Sequence, residues 1–199
     1  MKFIWAKDKE KIKNLSFAFL YKGVKNGDVF RLAAGDYYRV FINGRFLSFG
    51  PSRTAAGYSR VRNFLLDEDG VLVAEVVGYN TACYSNDKSA PFFGAELFRN
   101  GQKIADSDDF VCLQLNDRVS RVERYSYQRN YVEVYAQNGD RAALYNGNIV
   151  YPYEVTAEVP FSIGLLDSGN DTASYERIDF SFESEKKTDM HIQTMANHS

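Results

Sequence analysis

Tyr37-Tyr38-Arg39-Val40-Phe41-Ile42-Asn43-Gly44-Arg45-Phe46-Leu47-Ser48-Phe49 reads as two strands joined by a two-residue turn. Aromatic and β-branched residues dominate both arms, and such side chains pack well on a pleated surface. Asn and Gly both tolerate positive φ, which a type I′ turn needs at its two central positions. The same grammar recurs where Ala95-Glu96-Leu97-Phe98-Arg99 and Gln102-Lys103-Ile104-Ala105 flank Asn100-Gly101. Further Asn-Gly pairs stand at Asn26-Gly27, Asn138-Gly139 and Asn146-Gly147. Val71 to Val77 is apolar apart from Glu75 and reads as a central strand covered on both faces. Phe17 to Tyr21, Val29 to Ala33, Tyr131 to Tyr135 and Ile178 to Glu183 complete the candidate strands. Many short strands with frequent turn signals indicate a sandwich or barrel. Helix is scarce: Asp8 to Leu15 could form a short one, with Asp8 as N-cap and Ile12 and Leu15 on one face.

Composition agrees with a folded domain. Of 199 residues, 45% are hydrophobic and 25% charged, which excludes a disordered polymer, a collagen-like rod and a disulfide scaffold. The 24 basic and 26 acidic residues leave a net charge of -2, so nothing electrostatic points to nucleic acid or an anionic membrane. Aromatics stand out, with 15 Phe and 14 Tyr beside one Trp. Tyrosines at the margins of a β core account for this, and so does a surface that stacks on sugar rings. Cys83 and Cys112 lack metal-site spacing and read as two buried free thiols, a disulfide requiring that their strands be neighbours. No metal and no cofactor is expected. There is no long apolar run for a membrane helix. Charge interrupts the first ten residues, so a signal peptide is not read. A cytoplasmic location is the expectation, extracytoplasmic if a leader was removed.

The chemistry-bearing residues are sparse. Both histidines, His191 and His198, fall in a polar stretch from Glu183 onward that is expected to fray. A histidine-based triad is therefore disfavoured, and no phosphate loop or nucleophile elbow occurs. Glycosidases need two carboxylates across one bond. Glu75 and Glu96 are the acids worth inspecting, because they interrupt apolar strands. Buried charges are usually paired, so pairing with arginine or backbone N–H is expected for both. Two loops combine aromatic faces with fixed donors. One holds Arg53, Tyr58 and Arg60; the other, after the most apolar strand, holds Tyr79, Asn80 and Tyr84. These six residues are the candidate contacts to carbohydrate or to a partner domain, the alternative being that they brace the loops internally. The string Arg118-Val119-Ser120-Arg121-Val122-Glu123-Arg124-Tyr125-Ser126-Tyr127-Gln128-Arg129 is arginine-rich, but Asp117 and Glu123 make ion pairs the expected use.

Four strings follow one another in order: Asp36 to Gly44, Gly50-Pro51-Ser52-Arg53, Gly57-Tyr58-Ser59-Arg60-Val61 and Val73 to Asn80. With the later Arg121 to Arg129, they resemble the N-terminal β-sandwich of bacterial α-L-rhamnosidases, over roughly Trp5 to Tyr135. These are large multidomain glycoside hydrolases. The resemblance implies an all-β, antiparallel jelly-roll sandwich, galactose-binding-like, over residues 1–136. Residues 137–183 would add strands to it or begin a second sandwich, and 184–199 would be a polar tail. It also implies that hydrolysis belongs to acidic residues of a separate helical (α/α) barrel, so no catalytic residue carries over. The expected role is a non-catalytic accessory domain that docks on that barrel and touches rhamnose-containing glycans. A free-standing carbohydrate-binding module is the rival, and a small enzyme built on Glu75 or Glu96 is a third reading.

Overall fold

Asn43 and Gly44 have φ of 47° and 80°, and Asn100 and Gly101 have 51° and 78°, so both hairpins turn on paired left-handed residues as read. The computed structural model describes residues 1–51, 57–84, 90–136, 141–148, 152, 154–155 and 164–170. Its strands are β1 (Leu15–Val24), β2 (Val29–Gly35), β3 (Tyr37–Ile42), β4 (Arg45–Gly50), β5 (Tyr58–Leu65), β6 (Gly70–Gly78), β7 (Phe92–Arg99), β8 (Gln102–Asp106), β9 (Val111–Gln114) and β10 (Gly164–Asn170). They form two five-stranded sheets, ordered β4-β3-β6-β1-β9 and β10-β5-β2-β7-β8. Every pairing is antiparallel except that of β10 with β5. The described residues form an all-β sandwich with almost no helix among them.

Strand alternation fills the space between the sheets. Tyr38, Val40 and Ile42 of β3 point inward, as do Phe17 and Phe19 of β1, toward Phe30, Leu32, Phe93 and Leu97 of the other sheet. The rings of Phe19 and Phe93 stack at 4.0 Å, an arrangement that adds about 1 kcal/mol beyond area burial. Trp5, fully buried, meets Phe17 edge-on. The central strand β6 is buried from Leu72 to Gly78, in keeping with cover on both of its faces.

That second cover comes from a strap, residues 115–136 with a short helix α1 (Arg141–Tyr145), lying over the outer face of the first sheet. Leu115 and Leu144 pack there with Ala18, Leu20 and Val73. Glu75, 1% exposed, is the fastener. It pairs with Arg39 at 2.8 Å and with Arg141, and accepts the Tyr145 hydroxyl at 2.9 Å. Arg141 also donates to both oxygens of Asp117. Burial disfavours the Arg141 charge, but its bonds to Asp117 and Glu75 outweigh that and hold it above the ordinary arginine range.

Several expectations are corrected. Asp8 to Leu15 is not a helix: Asp8 and Asn14 are left-handed, at φ 61° and 58°, and Leu15 opens β1 opposite Gly78. Two apolar residues do not repay helix nucleation when a sheet can take one of them. Tyr131 to Tyr135 is not a strand but makes isolated bridges, Tyr131 to Arg124 and Tyr135 to Arg118. Asn146-Gly147, which the sequence placed between no particular strands, ends α1, with N–H groups of Asn146, Gly147 and Asn148 returning to Ala142, Leu144 and Ala143. Both cysteines are free thiols, but only Cys112 is buried, and burial pushes its thiol well up; Cys83 is half-buried. Asn138-Gly139, Ile178 to Glu183 and the polar tail lie outside the described residues.

Candidate functional site

β6 ends at Gly78, and the chain turns at once. The Asp36 carboxylate, at the β2–β3 junction, accepts the N–H groups of Tyr79 at 2.7 Å and Asn80 at 3.0 Å. Asn80 is left-handed, at φ 48°, and its side chain donates to the Glu10 carbonyl. Tyr79 is 6% exposed. Its ring lies 6.4 Å from that of Tyr131 and 5.8 Å from the Arg118 guanidinium. Burial, reinforced by the Glu133 charge, pushes its hydroxyl up to about 12.

The strap brings a second wall to this loop. Residues 117–136 fold back on themselves: Ala136 donates to the Asp117 carbonyl at 2.7 Å and Val119 to the Val134 carbonyl at 2.8 Å. Arg124 ties down the tip, 125–130. Its guanidinium donates to the carbonyls of Tyr127 and Arg129 within the tip, and to Thr81 Oγ1 and the Ala82 carbonyl across the gap. Tyr84 N–H adds a bond to the Gln128 carbonyl at 3.1 Å. A guanidinium can serve several carbonyls at once because its donors form a fixed planar fork. Arg118 of the same string likewise donates to Asn14 O and Oδ1.

Between the two walls lies a cleft of about 770 Å³, lined among the described residues by Tyr84, Tyr125, Gln128, Arg129, Asn130, Tyr131 and Val132. Tyr84, Tyr125 and the adjacent Tyr127 are 69%, 84% and 78% exposed. The Gln128 amide donates to the hydroxyls of Tyr84 at 3.1 Å and Tyr127 at 3.3 Å, tying two rings to one polar group. Cys83 Sγ lies 3.0 Å from Asn130 Oδ1 behind them.

Of the six residues singled out from sequence, Tyr84 alone lines this cleft, Tyr79 and Asn80 root its loop, and Tyr58 and Arg60 stand on β5 in the opposite sheet. Tyr58 is half-exposed, and Arg60 is partly buried. Arg53 lies outside the described residues. Sequence reasoning passed over Tyr125, Tyr127 and Gln128, because arginines dominated the reading of that string. The alternation Tyr-Ser-Tyr-Gln was the available signal. Glu75 is locked in the strap, and Glu96 pairs with Arg31 at 3.1 Å and Lys103 at 3.7 Å. Each carboxylate is thus held by cations, and Glu96 shares Lys103 with Asp106, which stands opposite it across β7 and β8. Among the described residues no group of His, Cys, Asp and Glu is arranged to hold a metal.

No family model matches the sequence, and no curated protein matches it. Solved structures do. The crystal structure of a GH78 family rhamnosidase of Bacillus sp. GL1 superposes with a TM-score of 0.65 and 15% identity, over 83% of this chain and 19% of that one. An α-L-rhamnosidase from Dictyoglumus thermophilum matches with a TM-score of 0.40 and 13% identity, over 68% of this chain and 21% of its own. This chain thus spans about a fifth of the length of either. The resemblance expected from the sequence is met, in fold, by a region of a GH78 rhamnosidase.

Proposed function

We propose that the chain is a non-catalytic accessory β-sandwich of an α-L-rhamnosidase-like glycoside hydrolase, docking on the catalytic (α/α) barrel of the same enzyme. The observation that carries this reading is the fold likeness, which takes in most of this chain and under a fifth of a GH78 rhamnosidase. Fold alone does not give function, so two features of the surface are weighed with it. The strap leaves Phe46 and Phe49 of β4 exposed at the edge of the first sheet, an apolar surface that suits a partner domain. Glu75 and Glu96 are both engaged with cations, so neither is poised as acid or nucleophile. The tyrosine cleft favours a second reading, a carbohydrate-binding module, and the two roles are compatible in one domain. Incubation with 4-nitrophenyl α-L-rhamnoside tests the non-catalytic assignment. The pure chain is expected to show no turnover above a boiled control, and turnover abolished by Glu75→Gln or Glu96→Gln would overturn it.

A further inference from the structure

We infer that the cleft walled by Tyr84 and Tyr125, with Tyr127 beside it, is a binding site for the pyranose ring of a neutral glycan. The inference rests on the reading that the chain meets carbohydrate, and not on its docking role. Three features converge. First, tyrosines with large exposed faces gather in one place: Tyr84, Tyr125 and the adjacent Tyr127, at 69%, 84% and 78% exposure. A sugar's C–H face packs against such rings while its hydroxyls meet the polar rim. Second, the rim is built of neutral donors and acceptors: the Gln128 amide, already bridging two tyrosine hydroxyls, and the Asn130 amide. No carboxylate lines the cleft among the described residues, and Arg129 brings its single charge. A nucleic acid would call for a basic groove, which neither this lining nor the net charge of -2 supplies. Third, the walls are held before any ligand arrives. Arg124 spans both loops through four acceptors, and the Tyr84 N–H to Gln128 O bond closes the base. Prior ordering of this kind removes an entropic cost of binding. The volume of about 770 Å³ lies within the range of small-ligand sites.

The test is NMR titration of the labelled chain with methyl α-L-rhamnoside, methyl β-D-glucoside and methyl β-D-galactoside, each to about 50 mM, since a shallow open site should bind near the millimolar range. Amide shifts at Tyr84 and 125–132 are expected with at least one sugar, with saturation transfer to its ring-face protons. Tyr84→Ala and Tyr125→Ala should each weaken binding by about tenfold, the loss of one stacking partner. Both rings are exposed, so the melting temperature should hold, and a variant that keeps its melting temperature and its affinity would overturn the site. Shifts confined to Tyr58 and Arg60 would overturn the cleft while keeping the carbohydrate reading. Absence of shifts with every sugar would overturn both. Protection of the cleft amides by an added catalytic barrel, with no response to any sugar, would reassign the surface to docking and overturn it as well.

Discussion

Tyr79 shows what residue type alone does not reveal. Its ring, with those of Tyr58 and Tyr84, reads in the sequence as a stacking face. In the fold it lies between Tyr131 and Arg118, while its N–H is spent on Asp36. That burial depends on the strap bringing Arg118 and Tyr131 back from 39 and 52 residues downstream, which no local pattern encodes. It has a measurable consequence. The folded hydroxyl sits at about 12 against an unfolded value near 10. A raised value means that the folded state holds the proton more tightly, so the stabilisation is intact below pH 10 and is lost as pH climbs toward 12. Urea unfolding across that window should therefore lose about 2 kcal/mol to this residue. In Tyr79→Phe the alkaline loss should be smaller by that amount. Equal alkaline slopes in parent and variant would show that Tyr79 titrates normally.

At the scale of elements, legibility tracks sequence separation. Both Asn-Gly hairpins were readable because the turn and its two strands are contiguous. Asn43 does more than turn: its side chain accepts from Val71 N–H and donates to the Asp69 carbonyl, joining the β3–β4 turn to the β5–β6 connection. Gly44→Val would force a β-branched residue into φ of 80°, at a cost of about 1–3 kcal/mol. The expected result is a clear fall in melting temperature, and an unchanged one would contradict the I′ turn. The strap was not readable: the alternation at Tyr131 to Tyr135 reads as a strand, and the segment is held instead by side chains far apart in sequence. Glu75 interrupting an apolar strand was the one local hint, and its expected pairing with arginine is met by Arg39 and Arg141. Glu75→Ala would leave those guanidinium groups facing an apolar sheet. The expected loss is about 3–5 kcal/mol, with hydrogen exchange accelerating first in 115–136 and 141–145, which Glu75 fastens. Uniform acceleration over both sheets would mean that Glu75 supports the sandwich rather than the strap.

For the molecule as a whole, period-two strands and turn chemistry were enough to read a sandwich, and the order of four short strings was enough to read its likeness. The surface was not legible, because exposure is decided by which face the strap happens to cover. On the first sheet it covers β6 and β1 but leaves β4 bare. Phe46 and Phe49 stand there, half to mostly exposed, on a strand with no neighbour beyond it among the described residues. Both point to the outer face: Phe46 is paired opposite Phe41, which touches Tyr145 of α1, and Phe49 opposite Arg39, which grips Glu75. An unpaired edge carrying two aromatics is normally covered in a soluble assembly. If the chain docks on a larger enzyme through this edge, the isolated chain should bind a hydrophobic dye such as ANS in its native state and show concentration-dependent association in sedimentation. Phe46→Ser combined with Phe49→Ser should abolish both. The melting temperature should hardly move, because surface changes of this kind usually stay within about 0.5 kcal/mol. A parent chain that binds no dye and stays monomeric at high concentration would count against docking at β4 and would favour a module that works alone.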